Sequence, residues 1–124
     1  MENLYEYFKT KINIYSPLNE IINTFCDTCE KVLAEKSFAF ETGIYQFTCD
    51  EEYVFSLILK YKVNDSNVVL HIDLIYPPSF EFEEFSTSIQ TSNLDEYKSI
   101  IINSREYSIL KNKSMYKINI YNQK

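Results

Sequence analysis

The chain has 124 residues and 14.8 kDa, of which 45% are hydrophobic and 24% charged, enough apolar surface to close one core in one domain, residues 1–124. Eleven Tyr and nine Phe exclude a generic disordered chain, because that many rings offer too much burial energy to remain in water. The formal charge of −6 repels phosphate backbones, which argues against direct nucleic-acid binding and favours a cationic partner.

The N-terminal stretch MENLYEYFKT lacks the basic start and apolar centre of a secretory signal, and no run is apolar for long enough to span a bilayer. A cytoplasmic protein without a membrane segment is expected. Three cysteines, an odd number, argue against a secreted disulfide framework. LYEYFKTKINIY is compatible with helix or strand. From Ser16 the text SPLNEIINTFCDTCEKVLAEKS reads as a helix, with Ser16 as N-cap, Pro17 in the first turn and Glu20 closing a capping box. Leu18, Ile22, Phe25, Cys26, Cys29, Val32 and Leu33 recur at three- and four-residue steps and draw one apolar stripe.

After Ser37 the period changes to two. The runs FAF, GIYQFTC, YVFSLILKYKV and VVLHIDLIY, separated by polar breaks such as Asn64 to Asn67, predict an antiparallel meander. Tyr53, Phe55, Leu57, Leu59, Tyr61 and Val63 share one face, as do Val68, Leu70, Ile72, Leu74 and Tyr76, so one side of the sheet packs on helices and the other meets water. Pro77 and Pro78 cannot donate to a ladder and end that strand. SFEFEEF resumes as an edge strand or extended loop. Asn93, with Glu96 three residues on, signals a further helix carrying Leu94, Tyr97, Ile101 and Tyr107 near one face, and MYKINIY alternates as a last strand. The expected fold is α+β, an antiparallel meander of four or five strands packed against two or three helices in a single compact domain.

The pentapeptide KINIY occurs at Lys11 to Tyr15 and again at Lys117 to Tyr121, but the flanking residues do not repeat, and fifteen Ile and eleven Asn make such coincidences easy. Lys111, Lys113, Lys117 and Lys124 make the C-terminal stretch locally basic, as a solvated strand and tail would be.

Cys26 and Cys29 in CDTC have the spacing of a metal knuckle or redox pair, yet both lie inside the helical pattern rather than at a helix start. They read as buried thiols of the core stripe. His71 and Asp73 share the polar face of their strand and could orient one another, but a nucleophile elbow is missing. With Gly43 as the one glycine, phosphate-cradling loops are excluded. Asp50, Glu51 and Glu52 read as solvated turn charges. No metal and no cofactor is expected. In FEFEEF, Phe80 and Phe82 would point to one side of a strand and Glu81 and Glu83 to the other. The acids either guard an exposed edge against aggregation or, ringed by aromatics, dock a cationic protein surface.

IYPPSF resembles the Tyr-Pro segment that follows the three-strand meander of ubiquitin-conjugating-like RWD domains, although the later proline of that pattern is absent. Size, charge and helix-then-meander order are similar to those of acidic type III secretion chaperones. The function expected is a non-enzymatic acidic binding domain that neutralises a basic protein partner, a toxin for example, in the way of immunity proteins and antitoxins. Its contact residues would be Tyr76, Phe80, Glu81, Phe82, Glu83, Glu84 and Phe85, on a monomer or homodimer. The alternatives are a dimeric secretion or assembly chaperone holding an extended client, and a small metal- or thiol-dependent enzyme.

Overall fold

The computed structural model describes residues 4–13, 15–34, 43–50, 54–63, 66–77, 87–114 and 116–123. Helices α1 (Leu4–Lys11) and α2 (Leu18–Ala34) precede strands β1 (Gly43–Asp50), β2 (Val54–Val63) and β3 (Ser66–Ile75). Strand β4 (Thr87–Thr91), helices α3 (Leu94–Ile102) and α4 (Arg105–Leu110) and strand β5 (Lys117–Gln123) complete the fold. The strands form one antiparallel sheet in the order β4-β1-β2-β3-β5. This is the expected α+β class with five strands, and with four described helices rather than two or three. FAF lies outside the described residues.

The ambiguous N-terminal stretch is helical because Leu4 and Phe8, one turn apart, both reach the core. Helix α2 buries Leu18, Ile22, Phe25, Cys26 and Cys29 as its spacing predicts. Its start differs from the expected capping box. The amides of Leu18 and Asn19 donate to the carbonyls of Lys113 (3.1 Å) and Lys111 (3.0 Å), so the loop between α4 and β5 serves two amides that a helix start leaves unpaired. The Tyr116 hydroxyl donates to the Ser16 carbonyl beside them.

The predicted cap of α3 is present, with Asn93 Oδ1 accepting from the Glu96 amide at 2.9 Å. One expected helix is two, however. Ser104 caps α4 by accepting the Tyr107 amide at 3.1 Å, which redirects the chain after Ile102.

Alternation along β1, β2 and β3 sends Tyr45, Phe47, Phe55, Leu57, Leu59, Leu70, Ile72 and Leu74 to one face, each almost fully buried. The buried sides of all four helices join this face in one cluster. Rings form its centre: Phe25 stacks on Phe8 (5.3 Å) and meets Tyr97 (6.1 Å), which meets Tyr45 (5.5 Å). Burying each such ring contributes about 1.5–3 kcal/mol. Tyr97, fully buried, keeps its hydroxyl satisfied by donating to the Gln46 carbonyl at 2.8 Å, which ties α3 to β1.

Candidate functional site

Of the expected contact residues, Phe80, Glu81, Phe82, Glu83, Glu84 and Phe85 lie outside the described residues, and Tyr76 is placed. Tyr76 continues the inward alternation of β3, is 2% exposed, and sets its ring edge-on to Tyr116 with centroids 5.1 Å apart. Burial, with Tyr116 and Cys49 adding to it, pushes its phenol well above the ordinary range. As a partner contact Tyr76 is therefore corrected. It is a core anchor that fixes where the chain leaves the sheet, and a ring held inside the cluster does not present itself to a docking surface.

The register shows where the acidic segments attach. Thr87 pairs with Cys49, Asp50 with Val54, and Val54 with Ile75, so these residues lie in neighbouring rows at one end of the sheet. In the chain, residues 51–53, which include Glu51 and Glu52, and residues 78–86, which include Glu81, Glu83 and Glu84, are connected to the sheet there. In sequence the two acidic groups are about thirty residues apart, and antiparallel pairing brings their attachment points together. Lys117, opposite Ile75, borders the same end.

The second sheet face, away from the helices, carries a polar row. Ser56, Asp73 and Asn119 are cross-strand neighbours on β2, β3 and β5. Ser56 Oγ donates to Asp73 Oδ1 at 2.7 Å, and the Tyr121 hydroxyl donates to the same carboxylate. Burial first, then that bond and the Asp73 charge, raise the Tyr121 phenol above its ordinary range, so it stays protonated. His71, one row over, lies flat against the Tyr121 ring, centroids 4.7 Å apart and planes 3° from parallel. His71 and Asp73 do share a face, but Asp73 accepts hydrogen bonds from Ser56 and Tyr121, and the imidazole serves as a stacking plate. Spacing within one strand could not reveal Ser56 or Tyr121, because both are cross-strand neighbours.

The three cysteines are free thiols in the core, with Cys26 3%, Cys29 1% and Cys49 2% exposed. Burial pushes Cys26 up to about 12, with Lys98 opposing and Asp27 adding to the shift. Burial and its neighbour Cys26 raise Cys29 well above the ordinary thiol. Both remain protonated at neutral pH and are poor nucleophiles. Among the described residues, no three His, Cys, Asp or Glu side chains are grouped to hold a metal ion. No helix of the described residues is long and apolar enough to cross a membrane. No protein-family model, curated protein or solved structure matches this chain.

Proposed function

We propose that the protein is a non-enzymatic binding domain that neutralises a cationic protein partner, in the manner of immunity proteins and antitoxins. The observation that carries this reading is the shared attachment of both acidic segments at one end of the sheet. Glu81, Glu83 and Glu84, flanked by Phe80, Phe82 and Phe85, supply the contact. Carboxylates steer the encounter and set orientation, and the phenylalanines supply burial once contact is made. The thiol-dependent alternative is weakened because Cys26 and Cys29 are buried and protonated.

The test is a pair of variants of equal net charge. Glu81→Lys, Glu83→Lys and Glu84→Lys together add two charges each and take −6 to 0. Asp27→Lys, Glu30→Lys and Asp95→Lys do the same from exposed positions on α2 and α3. At physiological salt, a basic protein captured from host lysate by the wild type should associate about 10-fold more slowly with the first variant and near the wild-type rate with the second. Equal slowing in both at physiological salt, or in neither, refutes the assignment.

A further inference from the structure

At the end of the sheet opposite the row of Val54, the second face holds a hollow of about 400 Å³ lined by Ile44, Lys60, Lys62, Asn67 and Val69 and bordered by Tyr61 and Val68. The register explains its chemistry. Ile44, Lys60 and Val69 are cross-strand neighbours in one row, and Lys62 and Asn67 pair in a row beyond it on the same face. The floor is apolar on both sides of Lys60, and Ile44 leaves 38% of its surface exposed there. The stems of half-buried Lys60 and exposed Lys62 add methylene walls. Lys60 Nζ leans across β1 to within 3.5 Å of Gln90 Oε1, a long contact with a neutral acceptor. Among the described residues, neither lysine makes an ion pair.

We propose that this hollow binds a small carboxylate carried on an aliphatic body. Two ammonium groups and the Asn67 amide can donate to a carboxylate, while Ile44 and Val69 receive the chain attached to it. Lys60 and Lys62 bring two cationic groups to a concavity large enough for a ligand of this size. The site is independent of the acidic end, so its failure leaves the partner assignment untouched.

The experiment is a two-dimensional amide NMR titration of the full chain with sodium hexanoate, with hexanol, inorganic phosphate and a short glutamate-rich peptide as comparisons. Hexanoate should give saturable shifts at Ile44, Lys60, Lys62, Asn67 and Val69, with a dissociation constant on the order of 1 mM for so small a ligand. K60Q with K62Q should weaken it about tenfold, whereas K9Q with K11Q, which removes the same charge from α1, should leave it unchanged. Should the first variant fail to fold, K62Q alone, at an exposed position, should weaken binding about threefold. Hexanol matching hexanoate, phosphate shifting the same amides as strongly, the peptide binding them more tightly, or an unchanged constant in the lysine variants would each overturn the proposal.

Discussion

Replacing Cys26 with alanine should reverse its effect on stability as pH rises. In the unfolded chain this thiol titrates near its ordinary value of 9.0, whereas in the native core burial pushes it up to about 12. The native state therefore holds its proton more tightly. The stabilisation this represents is complete below pH 9 and is lost as pH climbs from there toward 12. At about pH 10.5 the unfolded chain has gained about 2 kcal/mol from ionising this one group, a sizeable share of the roughly 5–15 kcal/mol that holds a domain together. Alanine removes the titration and leaves a small void, at a cost of about 1 kcal/mol. Wild type should thus be more stable by about 1 kcal/mol at neutral pH and less stable by about 1 kcal/mol near pH 10.5. Urea midpoints followed by circular dichroism at the two pH values measure this. Tyr76 also loses stability in alkali but is common to both proteins and not acted on by Cys26, so it cancels in the difference, whereas Cys29, Tyr45 and Tyr97 feel the Cys26 charge and shift with it. A wild-type advantage that does not change with pH would refute the placement of Cys26 in the core.

Tyr97→Phe keeps the central ring and deletes the hydroxyl that donates to the Gln46 carbonyl, so it should lower stability by about 1 kcal/mol, read from the urea midpoint. On the second face, Tyr121→Phe preserves the plate against His71 and loses the bond to Asp73, whereas Tyr121→Leu loses both. Each step should cost about 0.5 kcal/mol, and only the leucine variant should move the His71 ring-proton shifts, because a parallel ring shields them.

Period and caps carried much of the fold in the sequence. Leu18 to Cys29 announce α2 by spacing, and Asn93 announces α3 by the oxygen it lends to the Glu96 amide. What escaped depended on partners distant in the chain. TSIQT has a single aliphatic residue and carries no strand signal of its own, yet it becomes β4 because β1 offers it a ladder from Tyr45 to Cys49. The two copies of KINIY make the same point: Lys11 of the first closes α1 and its Tyr15 is 81% exposed, while the second is in strand β5 beside β3. The helix break at Ser104 was legible in principle, since serine three residues before Tyr107 is a cap signal, but the apolar spacing ran across it. Tyr76 shows a different lapse. Alternation from Val68 already put it on the core face, and its closeness in sequence to the acidic segment obscured that.

The separation of charge along the strands bears on how a partner would be recognised. From the row of Val54 to that of Lys62 the sheet extends roughly 25 Å at about 3.3 Å per residue, with the acidic segments attached at one end and the two-lysine hollow at the other. A Debye length of about 8 Å at physiological salt is much shorter, so neither end screens or reinforces the other for a molecule in contact. The net charge of −6 then governs encounters only at low salt, where the field of the whole body is felt. At physiological salt, what a cation meets is set by nearby charges, and the antiparallel register, not composition, brings together the rows from which the two acidic segments run. Reversing the same number of charges at two different places, so that both variants reach the same total, is therefore the perturbation that tells a localised site from a diffuse field. If the diffuse field were the working quantity, reversing Asp27, Glu30 and Asp95 would slow the partner as much as reversing Glu81, Glu83 and Glu84.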